Sequence, residues 1–139
     1  MSITDTTLRT VLTDTKSIAV VGASPKTTRP SHGVTGFLVG RGFQVFAVNP
    51  GHAGKIINGA MTYASLSDLP KPVDMIDVFR ASEFVSDVVE TVMDLPWKPK
   101  VIWTQLGVRD DQAAKRAEDV GITVVQNRCP AIEMPRLGI

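Results

Sequence analysis

The chain is short of cysteine: Cys129 is the only one in 139 residues. No intrachain disulfide framework is possible, and a reducing cytoplasm is the expected compartment. Long apolar runs are missing too; none approaches the roughly 18 residues of a membrane span. The N-terminal stretch MSITDTTLRTVLTDTK has no apolar core of the signal-peptide kind. Net charge is only +1, so no global charge draws the chain to nucleic acid or to a membrane. Repeats, low-complexity tracts and linkers are absent. The most informative lack is local. Between Asp14 and Asp68 there is no Asp or Glu at all, whereas Lys16, Lys26, Arg29, Arg41 and Lys55 lie there with His32 and His52. A segment stripped of carboxylates and supplied with cations suits a polyanionic ligand, which acids would repel.

What is present is 43% hydrophobic residues, enough for one globular domain over 1–139. The stretch KSIAVVGASPKTTRPSHGVTGFLVGRG, Lys16 to Gly42, organises the rest. Ser17–Val21 is a short apolar run with β-branched residues, as a strand buried on both faces should be. Gly22 ends it. The loop that follows carries Ser24, Lys26, Thr27, Thr28, Arg29 and Ser31. Ser31 is the expected N-cap of a helix with Val34, Phe37 and Leu38 at i, i+3, i+4, and Gly42 stands at a helix C-terminus. A strand feeding a helix N-terminus through a loop of glycine, hydroxyls and cations is an anion site, because unpaired N–H groups and the positive end of the helix dipole face it.

The remaining pattern alternates. Thr4–Thr13 reads as a short helix on Leu8, Val11 and Leu12. Gln44–Val48 is a strand ended by Asn49-Pro50-Gly51, since proline cannot donate to a ladder. His52–Ala60 reads as a polar loop, with a short extended piece at Met61–Tyr63. Ser65–Pro70 reads as one capped helical turn. Val73–Phe79 is a strand interrupted by Asp74 and Asp77. Ser82 is the expected cap of a helix to Asp94 on Phe84, Val85, Val88, Val89, Val92 and Met93. Lys100–Thr104 and Ile122–Gln126 are strands around a helix begun by Asp110 or Asp111. Asn127-Arg128-Cys129-Pro130 opens a C-terminal tail. Alternation at these spacings predicts an α/β fold: a Rossmann-like open parallel sheet of about five strands with helices on both faces.

In such sheets the ligand lies at the carboxyl ends of the strands, where strand order reverses. The strand ends here hold small residues, amides, hydroxyls and Arg80. They hold no nucleophile with a base, no carboxylate pair and no metal cluster. Asp74 and Asp77 are three apart on a strand and so face opposite sides. His32, at the helix start, is expected to hydrogen-bond the loop or a phosphate. His52 reads as a solvated loop residue, Cys129 as a buried thiol, and Trp97 and Trp103 as packing residues. A dinucleotide dehydrogenase is one alternative. Its G-x-G-x-x-G spacing is not met by Gly22, Gly33 and Gly36, and the second strand ends in Val48-Asn49 without an acid. An NADP-dependent oxidoreductase with Arg29 on the 2′-phosphate would tolerate that.

Several stretches, in order from about Ser17 to Leu137, resemble one family: IAVVGASPKTTRPSHGV, VFAVNPG, the Tyr63-x-Ser65-Leu66-x-Asp68-Leu69-Pro70 segment, VDMIDVFRASE, VIWTQLGV and QNRCPAIE. The chain is similar to the small single-domain CoA-binding proteins, which are akin to the CoA-binding domain of the succinyl-CoA synthetase alpha subunit. The resemblance implies a Rossmann-like fold with coenzyme A along the strand ends. It implies Gly22, Ala23, Ser24, Lys26, Arg29 and Ser31 near the phosphates. Val48, Asn49 and Pro50 would lie beside the nucleotide or pantetheine path, and Phe79, Arg80 and Gln105 at the site. The synthetase's phosphorylated histidine belongs to a second domain with no counterpart here. The expectation is therefore a CoA or acyl-CoA binding or regulatory module without chemistry of its own. The other possibility is a subunit that lends its CoA site to a partner enzyme.

Overall fold

The structure is a computed structural model that describes residues 3–139; Met1 and Ser2 of the N-terminal stretch lie outside the described residues. Its core is one sheet of seven strands: β1 (Ser17–Val21), β2 (Gln44–Val48), β3 (Ile56–Ile57), β4 (Ala60–Tyr63), β5 (Met75–Val78), β6 (Val101–Thr104) and β7 (Thr123–Val125), in the order β3-β4-β2-β1-β5-β6-β7. All neighbours are parallel except β3 against β4. The central strands β1 and β5 are buried at every position, as near-continuous apolar runs require in a sheet covered on both faces.

Five helices cover the sheet. On one face, α1 (Asp5–Asp14), α2 (Pro30–Gly40) and α5 (Pro130–Leu137) bring Leu8, Leu12, Val34, Leu38, Met134 and Leu137 onto Ile18, Val20, Met75 and Trp103. On the other, α3 (Val85–Asp94) and α4 (Asp111–Asp119) bring Val85, Val89, Val92, Ala113 and Ala117 onto Ala19, Ile76, Val78 and Ile102. Thr4 caps α1 and Asp110 caps α4, each accepting from an amide three residues on.

The sheet has seven strands rather than about five because a hairpin extends it beyond β2. The polar loop expected at His52–Ala60 is in fact a 3-10 turn at Pro50–His52 followed by β3, the turn residues Asn58 (φ 43°) and Gly59 (φ 94°), and β4. Asn-Gly with both residues at positive φ is the tight hairpin turn whose twist matches antiparallel strands. Asn58 Nδ2 donates 2.8 Å to the His32 carbonyl of α2. A Cβ on Gly36 would collide with the Asn58 side chain, so α2 is bare where the hairpin lies on it.

Three local expectations are corrected. The N-cap of α2 is Arg29, with Pro30 at the first helical position, and Ser31 sits buried inside the first turn. Proline's fixed φ and missing N–H suit that position. Ser82 lies in a 3-10 turn ahead of α3, where its Oγ accepts from the Arg109 amide at 2.9 Å and so ties α3 to the loop after β6. The C-terminal tail is the helix α5. Its Glu133 takes hydrogen bonds from Arg128 (2.8 Å) and Arg136 (2.6 Å), and Arg136 also reaches Asp5 of α1.

Candidate functional site

The chain runs from β1 outward through β2 to the hairpin, then returns to lay β5 on the opposite side of β1. Strand order therefore reverses between β1 and β5, and the carboxyl ends of these two strands diverge into helices on opposite faces. Two joined cavities occupy that place.

The first, of about 400 Å³, lies between the ends of β1 and β2 and the start of α3. Val21, Val48, Pro50, Leu66, Phe84 and Val88 make it predominantly apolar. The second, of about 540 Å³, lies under the β1–α2 loop. Ala23, Ser24, Lys26, Arg29, Ser31, Phe79 and Gln105 line it. Gly22, Asn49 and Arg80 line both and mark the junction. Every residue that the family resemblance puts beside a ligand thus lines one cavity or the other. Several more line them that single strand ends do not reveal. Ala64, Ser65, Asp87 and Thr91 line the apolar cavity, and Pro25, Pro30, His52, Ala81 and Val108 the second, which is the more polar of the two although its lining is also mainly apolar. Ser65 and Leu66 belong to the family-like segment Tyr63–Pro70. On the α3 side, Phe84 and Val88 belong to the apolar stripe read from the sequence, but nothing local says that the stripe's first turn closes a cavity.

Local geometry explains the junction. Gly22 has φ +88°, and a Cβ there would overlap the Phe79 carbonyl oxygen of the neighbouring strand. Only glycine meets both conditions. Its amide is already used, donating 3.2 Å to the Val48 carbonyl. The main-chain donors left for an anion come one step later, at Ala23 and Ser24, whose amides have no partner among the described residues. Asn49 is a strut: Nδ2 donates to the Ala23 carbonyl and Oδ1 accepts from the Gly51 amide, both at 2.8 Å. It holds the β1–α2 loop against the end of β2. The Ser24 hydroxyl accepts from the Lys26 amide at 3.1 Å and shapes the loop.

Charge at the cleft is mainly positive, with Asp87 the acid among its lining residues. Lys26, Arg29 and Arg80 have no ion pair among the described residues. The Arg80 guanidinium lies 4.4 Å from the centroid of the Phe84 ring, a cation–π contact that parks the charge at the apolar cavity's mouth. The amino end of α2 opens onto the same space through Pro30 and Ser31, with the dipole's positive end toward it. His32 is not at the cleft; its ring nitrogen is 3.5 Å from Asn58 Nδ2 on the hairpin. His52, expected in solvent, lines the polar cavity. Cys129 is buried and begins α5, and Trp103 is fully buried with Nε1 donating to the Arg128 carbonyl.

A third cavity, of about 420 Å³ beside β7, contrasts with these. Its Gln126 bonds Asp110 and Asp111, its Asn127 bonds Gly107, and its Arg109 and Arg128 are each paired with a carboxylate. Its polar groups serve the fold. At the strand-end cleft, by contrast, Lys26, Arg29 and Arg80 have no carboxylate partner among the described residues.

A mostly parallel open sheet with helices on both faces and a cleft at its switch point is a Rossmann-like fold. The chain belongs to the CoA binding domain family, whose pattern matches residues 16–135. An uncharacterised protein of Bacillus subtilis (strain 168), YneT, is 30% identical over 122 residues, covering 88% of this chain and 87% of its own. A solved structure from Thermus thermophilus is 38% identical and superposes with a TM-score of 0.89, over 97% of this chain and 99% of that one. One from Pyrococcus horikoshii OT3 is 34% identical with a TM-score of 0.89, over 99% and 94%.

Proposed function

We propose that this protein binds coenzyme A, or an acyl-CoA, along the strand ends, and acts as a binding or regulatory module without chemistry of its own. The observation that carries the reading is the joined pair of cavities with three unpaired cations at the rim. Coenzyme A is an apolar base, a dense polyanion and a polar arm in one molecule. Adenine suits the slot between Val48, Pro50 and Phe84. The pyrophosphate and 3′-phosphate suit the Ala23 and Ser24 amides, Lys26, Arg29 and Arg80. The pantetheine arm suits the polar cavity. A protein partner that completes an active site over the cleft is the other reading of the same observation.

Isothermal titration tests the proposal against NADP. Coenzyme A or acetyl-CoA should bind more tightly than NAD or NADP. Tighter NADP binding, or hydride transfer with it, would sink the reading. Mass spectrometry of the ligand that co-purifies with native protein identifies the acyl group.

A further inference from the structure

Asp77 is a buried acid whose carboxyl has no partner among the described residues. It sits at the centre of β5, fully buried, between Val20 of β1 and Trp103 of β6 in register, and neither carboxyl oxygen has a hydrogen-bond partner. A buried polar group without a partner has given up its hydration for no bond in return, and buried polar groups are so generally satisfied that an exception needs a reason. Burial pushes the carboxyl's pKa well above the usual carboxylate range. The neutral form that burial favours has one O–H to donate.

A second orphan lies next to it. Gln105 is only 8% exposed, and its Oε1 is buried with no partner. Its amide donates 3.1 Å to the Val78 carbonyl, so Gln105 continues the β6 ladder two residues beyond Trp103. By strand alternation it shares the face of Trp103 and Asp77. Asp77 and Gln105 are diagonal neighbours on adjacent strands, a separation that a long side chain bridges. Gln105 also lines the polar cavity, beside Ser31 and Phe79. A carboxyl without a partner and an amide oxygen without a donor thus stand at diagonal positions of adjacent strands, and Gln105 also lines the ligand space.

We propose that Asp77 is a positioning residue: in the ligand-bound protein its O–H donates to Gln105 Oε1, which fixes the Gln105 N–H₂ toward the polar cavity as the donor to a carbonyl oxygen on the ligand's arm. This rests on the coenzyme A reading above and deepens it. The arm offers that oxygen in two places, the pantetheine amides and the thioester of an acyl-CoA. Adenosine and phosphates are recognised elsewhere in the cleft, so the Asp77–Gln105 pair reads the tail alone.

The test compares adenosine 3′,5′-bisphosphate, which has no arm, with coenzyme A and acetyl-CoA. Gln105→Leu should leave the bisphosphate affinity unchanged and weaken the arm-bearing ligands roughly tenfold, the worth of one well-made hydrogen bond. Loss confined to acetyl-CoA assigns the thioester oxygen; equal loss for coenzyme A assigns a pantetheine amide. Asp77→Leu should reproduce the loss. Asp77→Asn, whose amide N–H can still donate to Oε1, should restore the preference to within about twofold of the parent, an outcome that a purely structural role would not produce. If Gln105→Leu keeps the parent's ratio of arm-bearing to armless affinity, the donor role of Gln105 is wrong. If Asp77→Leu alone keeps it, the pairing is wrong. If the parent binds none of the three, the coenzyme A reading itself falls and this inference goes with it.

Discussion

Arginine does opposite work in two regions of this molecule. Where α1 meets α5, Arg136 bridges Asp5 and Glu133, and Arg128 closes on the same Glu133. Burial alone would raise the Glu133 pKa, but hydrogen bonds from Arg136 and Arg128 outweigh it and hold the carboxyl below its ordinary range. The charges there are consumed in joining two ends of the chain. At the strand-end cleft Lys26, Arg29 and Arg80 answer to no carboxylate among the described residues. The same residue type stabilises in one place and waits for a ligand in the other. The difference is which side chains the fold brings alongside.

The largest expected effect breaks the comparison at the backbone, because Gly22 serves both fold and cleft. Gly22→Val should lower stability by about 3 kcal/mol or more, since a strained φ and a clash with main chain add. Coenzyme A binding, titrated well below the melting midpoint, should also be lost. A Gly22→Val protein that melts like the parent and still binds would show that the β1–β5 junction does not define the site.

Arg29→Ala separates the two roles. Coenzyme A affinity should fall by about 1.5–3 kcal/mol, roughly tenfold to over a hundredfold, with the melting temperature unchanged. If Arg29 meets the 3′-phosphate, dephospho-CoA should lose little further affinity in the variant. An unchanged affinity would remove Arg29 from the site.

Glu133→Gln is the mirror image. Stability should fall by about 1–2 kcal/mol while coenzyme A affinity holds, because two arginines lose a largely buried partner. The pH dependence follows from the lowered pKa of Glu133 in the folded state. Its stabilisation is complete above the ordinary glutamate range and is lost as pH falls through the lower folded value. Acid titration of stability should therefore be shallower in Glu133→Gln than in the parent; parallel acid limbs would contradict the network. Smallest of all, Lys115→Ala removes an exposed i,i+4 pair with Asp119 and should change stability by no more than about 0.5 kcal/mol. A larger loss would mean that exposed pairs on this protein behave like the α1–α5 cluster.

Much of the architecture is legible in the chain, because apolar periodicity and turn residues are local signals. β1, β2 and the capped helices α1 and α4 fall within a residue or two of their expected bounds. The acid-free stretch from 15 to 67 is the sequence signature of the cation-rimmed cleft. The Asn58-Gly59 turn is also a local signal, but the two strands that flank it are too short to stand out from a polar loop. α5 is hidden for a different reason. Pro130 and Pro135 obscure an eight-residue helix that is held by Leu137 and Met134 in the core and by the arginine–glutamate cluster.

Local chain chemistry is enough to mark the central strands, the capped helices and the glycine at the first strand's end, and the resemblance to a family points to a set of residues that line the cleft. The assembled sheet alone dictates that Gly22 must clear a neighbouring carbonyl, that Asn49 is a strut and that Ser31 is not a cap. It also puts Asp77 and Gln105 on one face of adjacent strands. These features depend on which strand lies beside which, and at what register. Pairing across a sheet joins residues far apart in the chain, so no local pattern records it.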